Sequence, residues 1–337
     1  LVALAVTFEL APGASRGQIP PMHRYLISRF LQSLLLLWLS TLAVFTLVHL
    51  MPGGVLAAFA NNPLLTPQTK QAIIHDLGLD QPLPTQYLRW LWAVLHGNFG
   101  DSYHSGQPVM ELIAEHLPPT LELSAAGFLI AVLAAFLVGI YSALRRYSLL
   151  DYALTFLAYA GISIPIFWLG VMLILVFAVI WPIFPVQGFN SLIHPSLLSN
   201  LHHLILPAIT LSTFFIAVWS RYIRSSLIET LSQDYVRTAR AKGLPERRVL
   251  FRHVLRNALM PFVTVFALDL GAVVGGATVT ETVFAWPGMG QLFYNSLTYR
   301  DYPVIMAILL LAAASVILAN FLADLVYGLL DPRIQLG

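Results

Sequence analysis

Asp234-Tyr235-Val236-Arg237-Thr238-Ala239-Arg240-Ala241-Lys242-Gly243-Leu244 is the stretch on which the reading of this chain turns. It lies within a segment, Arg221 to Arg256, that carries nine Lys/Arg and three acids and has long apolar spans on both sides. Lys and Arg in short loops are retained on the cytoplasmic face of a membrane. The stretch therefore reads as a small, basic, helical element exposed between membrane spans and shaped to dock a soluble partner. The plainer alternative is a basic loop that only fixes topology.

The surrounding composition supports the membrane setting. Hydrophobic residues make up 58% and charged residues 10%, with a mean hydropathy of +0.77, whereas roughly a quarter of a soluble domain is charged. A helix needs about 20 apolar residues to cross a bilayer. Six stretches qualify, approximately 26 to 51, 119 to 143, 150 to 181, 204 to 227, 259 to 284 and 302 to 329. The chain is thus expected to be an all-α, polytopic membrane protein with six transmembrane helices. The third stretch is expected to kink at Pro165, and Ser148 followed by Asp151 marks its capped start. With the N-terminus inside, fifteen Lys/Arg fall on the cytoplasmic side and three, Lys70, Arg89 and Arg300, outside. Both termini are expected in the cytoplasm.

Residues 1–21 lack the basic region and sustained apolar run of a signal peptide and read as an unstructured N-terminal extension ahead of a start at Met22. Residues 22–337 form one membrane domain, with an external segment at 52–118 and a cytoplasmic loop at 228–258. In the external segment Thr66-Pro67 opens a helix that Gly78 ends. A second helix near Thr85 to His96 sets Tyr87, Leu88, Leu91, Trp92 and Leu95 on one side, either against neighbouring spans or in the headgroup region.

Several chemistries are excluded. No Gly-x-x-x-x-Gly-Lys-Ser/Thr occurs, so the chain does not hydrolyse ATP itself. Ser163 is no nucleophile elbow, because Pro165 stands where a glycine is needed. There is no cysteine, which removes thiol catalysis and Cys-ligated zinc. Seven histidines fall outside, His75, His96, His104, His116, His194, His202 and His203, without compact ligand spacing, so no metal site is expected. The basic residues are explained by topology, and no nucleic-acid partner is implied.

Four carboxylates lie within or at the edges of spans. Ionisable groups at membrane depth usually face a bundle interior or an aqueous cavity. Asp269, nearest mid-membrane, is the first candidate for the translocation pathway. Glu122 and Glu281 are further candidates, although their positions near predicted helix ends, like that of Asp324, are accounted for by capping and interface hydration. In the basic loop, Ser232 is expected to cap a helix through Ala241. Gly243 supplies a left-handed turn, and Pro245 opens a second helix at Glu246 to Asn257. Ala239, Ala241 and Gly243 would give a surface of low relief ringed by Arg237, Arg240, Lys242, Arg247 and Arg248.

At this point the residues resemble a known family. Asp234 to Leu244, followed by Arg256-Asn257-Ala258-Leu259-Met260-Pro261, is similar to the cytoplasmic signature of binding-protein-dependent ABC transporter permeases of the dipeptide/oligopeptide/nickel group. Further matches run along the chain in order, among them Leu77 to Pro82, Thr120 to Leu123, His203 to Pro207, Thr280 to Gly290, Arg300 to Pro303 and Asp331-Pro332-Arg333. The large outer segment resembles the B-type subunit.

The resemblance implies a type I importer permease in a bacterial cytoplasmic (inner) membrane. It implies a second, C-type permease, two cytoplasmic ATPase subunits that hold ATP and Mg, and an external solute-binding protein, with no cofactor bound by this chain. It implies that Asp234, Tyr235, Arg237, Ala239, Arg240, Ala241, Lys242, Gly243 and Arg248 couple the permease to an ATPase. Two departures stand out. The family's Glu-Ala-Ala-x-x-x-Gly maps onto Arg237-Thr238-Ala239 and Gly243, without the acid and the first alanine, and Pro52-Gly53-Gly54 lacks an aspartate common in relatives. The expected cargo is a dipeptide or oligopeptide, with nickel or a metal chelate, glutathione, an opine or a polyamine as alternatives. A passive channel and an intramembrane hydrolase are the rivals from other classes.

Overall fold

A computed structural model describes residues 22–51, 67–76, 78–190 and 195–330. The expected N-terminal extension, the Thr66 cap, His194 and the Asp331-Pro332-Arg333 match lie outside the described residues. Helices dominate: α1 Met22–Leu50, α2 Pro67–Asp76, α3 Leu83–Leu95, α4 Val109–Leu144, α5 Leu149–Ser163 and α6 Ile166–Ile174, which runs on as a π-helical turn to Ile180. Then follow α7 Leu197–Leu231, α8 Asp234–Ala241, α9 Glu246–Ala258, α10 Met260–Ala272, α11 Thr278–Val283, α12 Met289–Tyr299 and α13 Tyr302–Leu330. Among the described residues the only β pairing is an isolated bridge between Asp101 and Pro108.

Four helices, α1, α4, α7 and α13, are long and apolar enough to cross a membrane. Two bent pairs raise the number to six if each is one span. α5 and α6 meet at 101° across Ile164 and Pro165, and α9 and α10 at 48°. The break falls at the expected proline but is nearly a right angle. Proline cannot donate the next helical bond and forces Ile164 into extended backbone, at ψ 125°. Ser148 does cap α5, accepting from the Asp151 N–H at 3.1 Å.

The central pair is α4 against α7. Along α4 the small residues Gly127, Ala131, Ala135, Gly139 and Ala143 recur every fourth position and are buried. Small-residue stripes of this kind let helix backbones approach closely in a membrane. At Gly139 a Cβ would lie 2.8 Å from Ile223 and 2.9 Å from the Ser220 carbonyl. A bulky residue there would overpack the seam, at a cost of about 1–3 kcal/mol. α1 and α10 flank α13 on the other side of the bundle.

The expected fifth span is shorter than its apolar run. α10 ends in a 3₁₀ turn at Val273–Gly275, and Gly276 then takes φ +79°. Its Cβ, if present, would sit 2.2 Å from the Gly290 nitrogen, so only glycine lets the chain fold back here. Residues 277–284 accordingly belong to a separate short helix, not to the span.

Candidate functional site

The basic element between the spans is built from α8 and α9. α8 places Val236 and Ala239 inward, in one buried cluster with Val249, Val254, Leu255 and Ala258 of α9 and with Ile223 and Leu227 of α7. Asp234, Tyr235, Arg237, Arg240, Ala241, Lys242 and Gly243 face outward. Ala239 is 6% exposed, so it does not contribute to a docking surface; its small side chain lets α8 seat on the bundle.

Gly243 makes the corner with φ +75°. Its N–H donates to the Arg240 carbonyl at 2.9 Å, and the Leu244 N–H reaches the Ala239 carbonyl at 3.4 Å, the paired bonds of a left-handed helix stop. Nothing lies within 4 Å of where a Gly243 side chain would begin, so the position is open to an approaching partner. The start of α8 differs from expectation. Gln233 occupies the cap position without a side-chain bond, and the Ser232 hydroxyl instead donates back to the Glu229 carbonyl at 2.7 Å.

Two contacts brace the corner. Arg240 donates from Nε and Nη2 to the Glu246 carboxylate at 2.8 and 3.3 Å. Asn257 donates to the Tyr235 hydroxyl at 3.0 Å, joining the far ends of α8 and α9. Arg247, Arg248, Phe251 and Arg252 line an open recess of about 470 Å³ beside Pro245. A π-helical stretch, Val249–Val254, lies in the middle of α9, a break of the sort that marks functional segments.

Asp269 points into the bundle. Trp219 Nε1 donates to its Oδ2 at 2.8 Å, tying α10 to α7. Trp219 is fully buried, and the rings of Phe128, Phe215, Phe262 and Phe266 surround it with centroids 5.0–5.6 Å away. Asp269 itself is half-buried.

Glu281 corrects the sequence reading. It is not a hydrated helix end but a fully buried carboxylate. Oε1 accepts from Thr120 Oγ1 at 2.9 Å and from the Ala277 N–H at 3.1 Å, while Oε2 accepts from the N–H groups of Gly290 and Gln291 at 2.7 and 3.0 Å. It thereby satisfies the free donors at the start of α12 and pins the loop 277–290 to α4. Trp286 completes the attachment, donating to the Pro119 carbonyl at 2.8 Å. So placed, Glu281 is a structural anchor and not an open pathway group. Glu122, two residues beyond Thr120, is half-buried, and the side chain of Asp324 lies outside the described residues. Asp269 and Glu281 bond to separate partners and form no carboxylate pair.

Two features went unnoticed in the sequence. Asp151, buried at the start of α5, is gripped by Arg224 of α7 at 3.1 and 3.0 Å. Outside the bundle, Asp301 accepts from the Ser102 hydroxyl and from the Tyr103 N–H, fixing the turn before α4 to the start of α13. Burial, and secondly the Asp301 charge, push the Tyr103 hydroxyl up to about 12. The outer histidines hold other partners: His75 meets Asp80, His96 and His203 the carbonyls of Trp92 and Ser199, and His104 stacks on Tyr299.

An all-α bundle with four helices long and apolar enough to cross a membrane, and a helical corner exposed beside them, has the architecture of a polytopic membrane protein. The chain belongs to the family of inner membrane components of binding-protein-dependent transport systems, which residues 135–336 match, with residues 22–124 matching the family's N-terminal domain. It is 42% identical over 316 residues to the oligopeptide transport system permease protein AppB of Bacillus subtilis, covering 93% of this chain and all of the relative. It is 40% identical over 317 residues to the dipeptide transport system permease protein DppB of Escherichia coli, covering 88% and 94%. A putative peptide permease protein of Brucella suis is 45% identical over 317 residues, covering 93% and 99%.

Proposed function

We propose that this chain is the B-type permease of an ABC importer for dipeptides or oligopeptides in a bacterial cytoplasmic membrane, with both termini inside. The observation that carries the cargo is the near end-to-end likeness to relatives named for oligopeptide and dipeptide transport. The chain pairs with a C-type permease, receives solute from an external binding protein, and is driven by two ATPase subunits that bind ATP and Mg. The coupling element is α8 and α9, with Gly243 at the contact and Asp234, Tyr235, Arg237, Arg240, Lys242 and Arg248 around it. Its attachment to α7 supports that role, because a push on the corner is delivered to a helix packed along most of α4. Partners that bind the two access states unequally then shift the bundle between them.

Reconstitution tests this reading. The purified complex in proteoliposomes, supplied with its binding protein and labelled dipeptides or oligopeptides, should take them up only with hydrolysable ATP inside. Uptake that ignores ATP would mean a passive channel; uptake of nickel, glutathione, an opine or a polyamine in place of peptides would reassign the cargo.

A further inference from the structure

Helix α3 has an apolar face that is left exposed among the described residues. Leu88, Trp92 and Leu95 are 63%, 67% and 72% exposed, and Leu83 at the helix start is 56% exposed. They stand at i, i+4 and i+7, which at about 100° per residue is one stripe of a helix. A different face is already engaged. Tyr87 donates to or accepts from Thr41 Oγ1 of α1 at 2.8 Å, Gln86 meets His49 Nε2 at 3.2 Å, and the rings of Tyr87 and Trp90 pack on Phe45. A third side carries the exposed Arg89, whose guanidinium lies over Gly78 in the turn that precedes the helix.

These contacts set the depth of α3. Thr41, Phe45 and His49 are in the last three turns of α1, at the outer end of a span that begins near Ile27. About 20 residues from that start bring the chain to the edge of the hydrocarbon. α3 is therefore held beside the place where the first span leaves the apolar core, and not in the water above it. Beside it α1 leaves Leu42, Leu47 and Leu50 exposed, so the apolar surface runs on from the span to the helix. Trp92 stacks against His96 at 4.2 Å, a pair with one apolar and one polar side of the kind that gathers at headgroup level.

We infer that α3 is an interfacial helix: one face is bolted to α1, the Leu88, Trp92 and Leu95 face is immersed in the outer leaflet at the boundary of acyl chains and headgroups, and the Arg89 side is in water. The occupant of the apolar stripe is lipid. Three faces with three neighbours explain why this helix has no buried residue although it is firmly attached. The leaflet then fixes the height of the external segment over the mouth of the bundle, and the segment does not stand free as a separate domain.

The test uses the absence of cysteine in this chain. Single variants Leu88→Cys, Leu95→Cys and Arg89→Cys are spin-labelled in the assembled transporter, its other subunits made cysteine-free, in lipid nanodiscs. Collisions with oxygen, which partitions into lipid, are compared with collisions with a water-soluble nickel chelate. Labels at Leu88 and Leu95 should favour oxygen several-fold over the label at Arg89. Chelate access at Leu88 equal to that at Arg89 would overturn the inference in favour of water. Low access to both reagents at Leu88 would overturn it in favour of a protein partner, the second permease or the binding protein. Because the readout is local, it does not depend on which solute is carried.

Discussion

Arg224 holds Asp151 with two nitrogens, Nε to Oδ1 at 3.1 Å and Nη2 to Oδ2 at 3.0 Å, across 73 residues of chain. Asp151 is 2% exposed and the arginine about a third, so the pair sits at the edge of the bundle with the acid inside. Arg221, one turn before Arg224, lies over the Tyr159 ring at 4.6 Å. Together they clamp α5 to the same helix that carries the coupling element.

Removing the guanidinium strands a buried carboxylate. Arg224→Ala should cost about 2 kcal/mol, less than the 3–5 kcal/mol of a wholly buried pair because water reaches this arginine. Arg224→Lys, which keeps the charge but not the two-pronged grip, should fall between. Thermal unfolding of the purified complex measures both. An unchanged midpoint in Arg224→Ala would show that the clamp adds nothing to stability.

At the coupling corner the cost is one of backbone shape, since a side chain on Gly243 meets open space. Gly243→Val should strain the left-handed turn by about 1 kcal/mol or more and displace the docking surface. The variant should insert and hold its partner permease yet lose binding-protein-stimulated ATP hydrolysis. Alanine should be intermediate and Arg248→Ala milder. Full stimulation in Gly243→Val would return the loop to a topology signal.

For Asp269 the expectation concerns transport more than assembly. Asp269→Leu should impair uptake while the partner permease still co-purifies, and Asp269→Asn, which retains an acceptor for Trp219, should be milder. Trp219→Phe removes the donor and also shrinks a fully buried ring, so a cavity term adds to the roughly 1 kcal/mol of the lost hydrogen bond. Normal uptake in Asp269→Leu would take this group out of the pathway.

The Tyr103 hydroxyl gives a pH signature. With its value raised to about 12 by burial and the Asp301 charge, the neutral phenol is favoured by the fold. That contribution is complete below the unfolded value of about 10 and is lost as pH climbs through the folded one. Ultraviolet titration of wild type minus Tyr103→Phe should reveal a phenol that ionises late. A midpoint near 10, the value of a free tyrosine, would mean that Tyr103 is open to water.

Orientation can be read by labelling in intact cells. Ser102 is a poor probe, since it is buried against Asp301. Exposed positions serve better: Ser105→Cys and Ser196→Cys should react with an impermeant thiol reagent, and Ser232→Cys should not. Reaction at Ser232 would invert the arrangement.

Much of the fold was legible because its signals are local. Apolar length gave the spans, Pro165 gave the break, and Gly243 gave the corner. The magnitude of the bend at Pro165 was not, since a proline frees a helix to turn while the neighbours decide how far. Nor was the early end of α10, because Val273, Val274, Val279 and Val283 carry the apolar run past it, while the close pass of Gly276 to Gly290 joins positions apart in the chain. Glu281 was misread for the same reason. Its bond to Thr120 crosses 161 residues of chain, and a pairing at such separation leaves no trace in spacing. The small-residue stripe from Gly127 to Ala143, by contrast, was there to be seen at every fourth position.

The burial of Val236 and Ala239 against Ile223, Leu227, Val249 and Val254 bears on how such permeases can be recombined. A chimera that transplants only the outward residues of α8 would keep the host's interior and change the face shown to an ATPase. One that transplants the whole segment would also replace part of the bundle's packing, and would have to bring the matching turns of α7 and α9 with it. On the proposed coupling role, a few exposed substitutions on α8 should exchange ATPase preference, whereas the scaffold beneath them is inherited as a block.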